Sequence, residues 1–136
     1  MKTVVIMRGL PGAGKSTFAE LLDPTWCATV SADDYMCDRM GNYKFDPTRL
    51  DECHAKCQDD FRDLIGNNVP LVIVDNTNLS HEERWFYTRE ATMHGYRVHL
   101  VTVEEDTPRD NIHGVPTHVI DRMRAKMLMD TAKNLL

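Results

Sequence analysis

The chain alternates between short apolar runs and longer segments with helical spacing of apolar residues. Apolar, β-branched runs typical of strands buried on both faces occur at 3–8, 27–31, 70–75 and 97–103. Helices are predicted at 15–22, from Pro47 towards Gly66, from Ser80 to near Gly95, and from Pro116 to near Lys133. This alternation is typical of βαβ units, in which a parallel sheet is covered by helices on both faces.

The fold class follows from this order of elements. We predict one three-layer α/β domain over residues 1–136, with a four- to five-stranded, mainly parallel sheet. Ser80 and Glu83 have the spacing of a capping box, which supports a helix start at that point. Residues 36–46 are predicted as a loop punctuated by Gly41, Asn42 and the following Pro47, and residues 104–115 as a polar loop that contains Pro108 and Gly114.

Composition limits the class of protein but not its chemistry. With 136 residues, 42% hydrophobic and 27% charged, the chain suits one soluble domain. No apolar run approaches the ~20 residues that cross a membrane, and the run at 4–7 is too short for a signal peptide. We expect a protein of the cytoplasm, of a cell or of a virus-infected host, with no membrane partner. Nothing in the sequence indicates an oligomeric state.

Charge and cysteines add two expectations. The net charge of −5 favours a nucleic-acid end, a short stretch or a small molecule over a long duplex, because gripping a long phosphate backbone usually requires a basic face. The four cysteines are expected as free thiols. Cys53 and Cys57 would share one helix face. Two half-buried thiols are favoured there over a pair of thiols that binds a metal ion.

A complete Walker A motif follows the first predicted strand. The motif G-x-x-x-x-G-K-[ST] is matched by residues 9–16 without a mismatch, between a buried strand and a helix. Its glycines allow the backbone to approach phosphate oxygens, and successive N–H groups form an anion nest. The residues expected to bind the nucleotide are Gly9, Pro11, Gly12, Ala13, Gly14, Lys15, Ser16 and Thr17. Lys15 is expected to reach the β- and γ-phosphates, and the Ser16 hydroxyl to bind Mg²⁺.

A second metal-side group lies at the end of the strand at 70–75. Ligands in open α/β sheets bind beyond the carboxyl ends of the strands, so Asp75 can hold a Mg²⁺-bound water like a Walker B aspartate. The alternative is a capping aspartate. Because no Asn-Lys-x-Asp guanine-reading motif follows, ATP is favoured over GTP.

Two adjacent carboxylates follow the second strand. Asp33 and Asp34 lie where the γ-phosphate of a bound nucleotide would face them. Phosphoryl transfer needs positioning, charge neutralisation and one base that accepts the hydroxyl proton. Asp33 is the candidate base. A helix-capping role for Ser31 or Asp33 stays open, and one residue can combine both roles.

Five motifs in order make the sequence resemble the polynucleotide 5'-hydroxyl kinase family, which includes bacteriophage-type kinases and related animal domains. They are R-G-L-P-G-A-G-K-S-T (8–17), S-A-D-D-Y (31–35), Y-K-F-D-P (43–47), V-D-N-T-N-L (74–79) and N-x-H-G-V-P (111–116). The resemblance covers about residues 2–127 and implies a P-loop kinase fold with ATP and Mg²⁺ as cofactors.

The resemblance also implies roles for single residues. Asp33 matches the general base, and Lys15 and Ser16 match the phosphate and magnesium residues. Arg84 matches an arginine near the phosphates or acceptor. The loop 105–115 matches a lid over ATP, and its Arg109 matches an arginine that neutralises the transferring phosphoryl group.

The chain departs from phage-type members at two positions. Met36 replaces an arginine that holds an acceptor phosphate, and His113 replaces a lid arginine, although animal-type relatives share this histidine. Arg39 or Lys44 could substitute, or both could be solvated surface charges. Together with Arg39, we predict Asp34 and Asn78 as substrate contacts.

The leading functional hypothesis is an ATP-dependent kinase whose acceptor is a hydroxyl of a nucleic acid or nucleotide, with a polynucleotide 5'-hydroxyl favoured. A nucleoside, a hydroxymethylated DNA base or another small alcohol is the alternative acceptor. A further alternative is an ATP-binding switch with no acceptor, which would not need a base at Asp33.

Overall fold

A computed structural model of the protein describes residues 1–22, 27–104 and 114–134. Within these residues the chain forms four strands: β1 (Thr3–Arg8), β2 (Cys27–Val30), β3 (Leu71–Asp75) and β4 (Arg97–Thr102). The α-helices of the same residues are α1 (Lys15–Ala19), α2 (Leu50–Gly66), α3 (His81–Met93) and α4 (Thr117–Asn134). Two short 3₁₀ turns lie at Ala32–Tyr35 and Pro47–Arg49. None of the described helices is both long and apolar enough to cross a lipid bilayer.

All four strands are parallel, and their order in the sheet is β2-β3-β1-β4. Strand β1 lies between β3 and β4. Its first residue, Thr3, is paired with Leu71 of β3 on one side and with Arg97 of β4 on the other. The predicted α/β class and parallel sheet are therefore confirmed, with four strands in the described residues. Parallel pairing brings the carboxyl ends of the strands to one edge, where ligand sites of open α/β sheets form.

Alternate residues of the strands face two different apolar layers. One layer packs between the sheet and helices α2 and α3, and includes Val4, Ile6, Val72, Val74, Phe61 and Tyr87. The other, on the opposite face beside α1, contains Met7, Ala19 and Ile73 with partly buried neighbours such as Val5 and Val101. Both faces of the sheet are thus covered near its centre, as a three-layer domain requires.

A buried ion cluster attaches α4 to the rest of the domain. Asp130 of α4 lies 2.8 Å from the guanidinium of Arg8 and 3.0 Å from that of Arg84. It also accepts a 3.1 Å hydrogen bond from the backbone N–H of His81, at the start of α3. Burial alone would raise the pKa of Asp130, but the hydrogen bonds and charges of the two arginines hold it below its ordinary value.

The element boundaries differ from the sequence prediction mainly in the first helix. We predicted a helix over 15–22, but α1 ends at Ala19, and Leu21 and Leu22 continue as turns with hydrogen bonds to Phe18 and Ala19. Pro47 opens a 3₁₀ turn instead of the α-helix itself, which begins at Leu50. The capping box of Ser80 and Glu83 is present with both of its hydrogen bonds.

Candidate active site

Three segments meet at the carboxyl edge of the sheet. They follow β1, β2 and β3, which are neighbours or next neighbours in the strand order. The first is the Walker A loop, the second contains the turn Ala32–Tyr35, and the third begins at Asp75. The sequence motifs that were assigned to the nucleotide, the base and the metal are therefore brought together by the sheet.

Two glycines show why the Walker A loop tolerates few side chains. A Cβ atom on Gly9 would lie 2.7 Å from the backbone oxygen of Val103, which is too close for any other residue. Gly14 precedes α1 with φ of 100°, in the left-handed region that glycine adopts without strain. Both positions therefore require glycine, and the phosphate-binding role of this loop stays a prediction.

The side chains of Lys15 and Ser16, at the start of α1, both donate hydrogen bonds. The ammonium group of Lys15 donates a 2.9 Å hydrogen bond to the carbonyl oxygen of Leu10, within the loop itself. Burial lowers the pKa of Lys15, although the charges of Asp75 and Asp33 act in the opposite direction. The hydroxyl of Ser16 donates a 2.8 Å hydrogen bond to a carboxylate oxygen of Asp75.

The Ser16–Asp75 pair has the donor chemistry of a magnesium site. Mg²⁺ prefers oxygen ligands and is commonly held by one or two protein groups together with water and phosphate oxygens. One hydroxyl and one carboxylate in direct contact fit that pattern. These two residues would hold the ion, which would neutralise charge on a bound triphosphate.

The candidate base lies on the 3₁₀ turn that follows β2. The Ser31 side chain accepts a 3.2 Å hydrogen bond from the backbone N–H of Asp33 and so caps the turn. The Asp33 carboxylate is exposed, and the hydroxyl of Tyr43 lies 3.5 Å from one of its oxygens. Burial and the neighbouring Asp33 charge raise the pKa of Tyr43 to about 12, which keeps its hydroxyl protonated as a donor.

A buried amide holds this turn against the end of β3. The side-chain oxygen of Asn76 accepts a 2.8 Å hydrogen bond from the backbone N–H of Ala32. Its amide nitrogen faces the thiol of Cys57 at 3.6 Å and the hydroxyl of Tyr87 at 3.4 Å. The position of Asp33 is therefore tied to β3 through a polar group inside the apolar core.

A cavity of about 190 Å³ lies beside these groups. It is lined by residues of the Walker A loop, the turn at 32–35, the following loop, α2, the end of β3, α3 and α4. The described lining residues are Pro11, Lys15, Ser16, Ala32, Asp33, Met36, Tyr43, Phe45, Leu50, His54, Asp75, Asn76, Thr77, Glu83, Val115 and Met123. The candidate base, lysine and metal-side carboxylate thus face one shared space.

Negative charge accumulates next to this cavity. Burial raises the pKa of Asp34, and the charges of Asp33, Asp75 and Asp60 raise it further. Asp34 follows the candidate base directly but is not among the described lining residues. Its predicted role as a substrate contact stays a prediction, and its charge contributes to the field at the cavity.

Two residues predicted for the site are placed in the interior instead. The amide of Asn78 is buried and donates a 2.7 Å hydrogen bond to the carbonyl oxygen of Met7. The guanidinium of Arg84 is buried against Asp130 and donates to the carbonyl oxygen of Asn78. Neither is among the described lining residues of the cavity, because Asn78 bonds to backbone carbonyl oxygens of β1 and β3 and Arg84 bonds to Asp130 of α4. The catalytic role predicted for Arg84 and the substrate contact predicted for Asn78 stay predictions, and the described contacts of both side chains are structural.

The remaining predicted residues have other placements. Arg39 lies exposed in the loop after the turn and is not among the described lining residues. Arg109 and most of the predicted lid at 105–115 lie outside the described residues. From that segment only Gly114 and Val115 are described, and Val115 lines the cavity.

Sequence reasoning missed several residues of the cavity. Tyr43 and Phe45 were part of a family motif but received no role, and His54 received none either. Asn76 directly follows Asp75 at the end of a buried strand, and that position could have marked it as a site residue. The contact between Tyr43 and Asp33 depends on the path of the loop between them. No local sequence pattern predicts that path.

Comparison with known proteins places the chain in a family. The sequence family described as "AAA domain" matches residues 4–128, which is nearly the whole chain. The chain therefore belongs to this family.

Curated relatives are much longer than this chain. Human NEDD4-binding protein 2 is 36% identical over 131 residues, which cover 88% of this chain and 7% of that protein. The 2',3'-cyclic-nucleotide 3'-phosphodiesterase of Rattus norvegicus is 34% identical over 105 residues, covering 74% of this chain and 23% of the relative. The chain thus spans less than a quarter of either protein.

Solved structures support the fold. A chain of the Pnkp1/Rnl/Hen1 RNA repair complex aligns with a TM-score of 0.71 and 19% identity, covering 97% of this chain and 46% of that one. The Mycobacterium tuberculosis APS kinase CysC, solved in complex with AMPPNP and APS, aligns with a TM-score of 0.52 and 16% identity over 97% of this chain and 73% of its own. The chain has the fold of a P-loop kinase-like domain.

Proposed function

We propose that the chain is an ATP-dependent, Mg²⁺-assisted kinase that transfers the γ-phosphoryl group to a hydroxyl of a nucleic acid or nucleotide. The observation that carries this proposal is the shared cavity faced by Lys15, Asp33 and Asp75. An ATP-binding switch needs the lysine and the metal-side carboxylate, but it has no use for a third group positioned as a base. The family resemblance favours a polynucleotide 5'-hydroxyl as the acceptor.

The proposed reaction is a single in-line transfer. The acceptor oxygen forms a new bond to the γ-phosphorus, and the bond between that phosphorus and the β–γ bridging oxygen breaks. ADP leaves with the electron pair of the broken bond. The carboxylate of Asp33 accepts the proton of the hydroxyl, while Lys15 and the loop N–H groups hold the phosphates.

Asp33→Asn tests the proposed base. This variant keeps the size of the side chain and removes its ability to accept a proton. We expect transfer to fall by about 10²–10⁴-fold, while ATP affinity measured by calorimetry with Mg²⁺ stays close to that of the wild type. Asp59→Asn is the matched control, because it removes the same charge from the exposed surface of α2. Transfer by Asp33→Asn at the wild-type rate would remove Asp33 as the base.

Acceptor identity is tested with γ-labelled ATP. The panel contains 5'-hydroxyl DNA, 5'-hydroxyl RNA, nucleosides and DNA with hydroxymethylated bases. Label transferred to any of these supports a kinase and identifies the acceptor class. Slow release of labelled phosphate with no labelled acceptor would instead support the ATP-binding switch.

A further inference from the structure

A short hairpin, residues 36–44, follows the 3₁₀ turn that carries the candidate base. Cys37 and Tyr43 form an antiparallel bridge, and the backbone N–H of Lys44 donates a 3.0 Å hydrogen bond to the carbonyl oxygen of Met36. A further backbone hydrogen bond of 2.8 Å joins the two residues directly inside this bridge. The backbone of Tyr43 is therefore fixed relative to the chain segment that leaves the turn.

Arg49 ties this hairpin to the turn. Its guanidinium donates a 2.7 Å hydrogen bond to the carbonyl oxygen of Cys37 in the hairpin. It donates a second bond of 3.0 Å to the carbonyl oxygen of Tyr35, the last residue of the turn. Hydrogen bonds from a charged donor are stronger than neutral ones. One side chain thus holds together the two segments on which Tyr43 and Asp33 lie.

Tyr43 and Asp33 meet at the cavity. The hydroxyl of Tyr43 lies 3.5 Å from Oδ1 of Asp33, and both residues line the cavity. Burial and the charge of Asp33 raise the pKa of Tyr43 to about 12, so its hydroxyl stays protonated and can donate at neutral pH. Hydrogen bonds in active sites are often long before substrate binds and shorten in the complex.

The orientation of the Asp33 carboxylate is not set by its own rotamer. The residue is exposed, and the torsion that turns an aspartate carboxylate has no narrow wells. A general base must nevertheless lie within about 2.6–3.2 Å of the oxygen whose proton it accepts. Because a carboxylate has two oxygens with about four lone-pair positions, a bond from Tyr43 to one oxygen leaves the other available for that proton.

We propose that Tyr43 is a positioning residue for the base: its hydroxyl donates to one oxygen of the Asp33 carboxylate and turns the other towards the acceptor hydroxyl. This inference rests on the proposed function, in which Asp33 accepts the proton of the acceptor. It applies equally to a polynucleotide end and to a small alcohol, because it concerns the carboxylate and not the rest of the acceptor.

Tyr43→Phe tests the role of the hydroxyl and keeps the ring. With γ-labelled ATP and a 5'-hydroxyl DNA oligonucleotide, we expect kcat to fall about tenfold, the size expected for a hydrogen bond to a charged group. The KM for the oligonucleotide and the affinity for ATP should stay within about twofold of wild type, because ground-state binding is retained. An unchanged kcat would overturn the proposal.

Tyr96→Phe is the matched control. It also removes a tyrosine hydroxyl that donates a hydrogen bond, in this case of 2.8 Å to the carbonyl oxygen of Val69. Val69 lies before the start of β3, at the opposite edge of the sheet from the cavity. Tyr96→Phe should therefore leave kcat unchanged.

A double-mutant cycle with Asp33→Asn shows whether Tyr43 acts through the base. In the Asp33→Asn background, Tyr43→Phe should lower the remaining kcat by less than about twofold, because the carboxylate that it orients is already gone. A role of Tyr43 in the fold or in direct contact with the acceptor would lower kcat about tenfold in both backgrounds. That result would contradict the proposal.

The titration of Tyr43 tests the same contact without any transfer. Asp33→Asn removes the charge and the hydrogen-bond acceptor that help to raise the pKa of Tyr43, so this pKa should fall from about 12 towards the ~10 of a free tyrosine. NMR of ¹³C-labelled tyrosines measures it, with Tyr43→Phe identifying the signal. Cys53 and Cys37 also raise this pKa but are present in both proteins. An unchanged titration would show that the two side chains are not in contact.

The two kinds of measurement separate this inference from the proposed function. If the wild type labels no acceptor but the titration of Tyr43 shifts in Asp33→Asn, the kinase proposal fails and the orientation of Asp33 by Tyr43 stands. If the wild type labels the oligonucleotide and Tyr43→Phe does so at the same rate, the kinase proposal stands and the inference fails.

Discussion

The side-chain oxygen of Asn76 accepts a 2.8 Å hydrogen bond from the backbone N–H of Ala32, one residue before the candidate base. The bond joins the ends of two neighbouring strands, β2 and β3, at the edge where the site forms. Asn76 is buried, so no water molecule can replace its side-chain oxygen as the acceptor for the N–H of Ala32. The geometry of the turn that carries Asp33 therefore depends on Asn76, which also lines the cavity.

Asn76→Ala should disturb the site more than the fold. It leaves the N–H of Ala32 without its partner, and an unsatisfied buried group costs about 1–3 kcal/mol. We expect kcat for transfer to fall while ATP affinity is retained. Kinetics under conditions where the variant is folded, together with urea unfolding, measure both effects.

Tyr87→Phe is the control for this prediction. It removes the hydroxyl that contacts Cys57 and the amide nitrogen of Asn76 but leaves the bond to Ala32 in place. It should destabilise the fold with a smaller effect on kcat. If Tyr87→Phe lowers kcat as much as Asn76→Ala does, the bond to Ala32 has no special role in positioning.

Lys15→Met should stabilise the fold while removing nucleotide binding. Because burial lowers the pKa of Lys15, the unfolded chain binds this proton more tightly, and its charge disfavours folding at neutral pH. Stability should therefore rise as pH increases from the lowered pKa towards the ~10.4 of a free lysine. We expect Lys15→Met to raise the free energy of unfolding by about 0.5–1 kcal/mol at pH 7, within the range of such changes.

Urea unfolding with and without ATP and Mg²⁺ measures this effect. The variant should lose the stabilisation that the nucleotide gives the wild type. Lys133→Met, at an exposed position of α4, should show neither change. A variant that is less stable than the wild type at pH 7 would show that the hydrogen bond from Lys15 to Leu10 outweighs the cost of burying the charge.

Asp130→Asn should destabilise the protein strongly at neutral pH. It leaves Arg8 and Arg84 buried without a counter-charge, and breaking a buried pair in this way costs about 3–5 kcal/mol. The pKa of Asp130 is lowered in the folded state, so its contribution is complete above the ~3.9 of an unfolded aspartate and is lost as pH falls through the folded value.

The stability difference between wild type and Asp130→Asn should accordingly be constant near pH 7 and shrink below about pH 4. Urea unfolding over a pH series measures it. Asp121→Asn, in the exposed first part of α4, is the control and should change stability by less than about 1 kcal/mol. A difference that persists undiminished at pH 2 would show that the carboxylate charge of Asp130 is not responsible.

The sequence by itself determined the order of elements and the position of the Walker A motif between β1 and α1. Strand runs, the capping box of Ser80 and Glu83, and the Walker A spacing act over a few residues, so local patterns specify them. The end of α1 was missed because the turns after Ala19 keep helix-like hydrogen bonds without continuing the α-helix.

Only the tertiary structure decided which polar side chains face the cavity. Arg84 is 46 residues from Asp130, and Asn78 is 71 residues from Met7, yet these contacts direct both side chains into the interior. The path of the loop after Met36, which no periodicity specifies, brings Tyr43 to Asp33. Long-range packing sets side-chain direction, and for that reason residue type and spacing could predict candidate residues for the site without giving the complete set that lines the cavity.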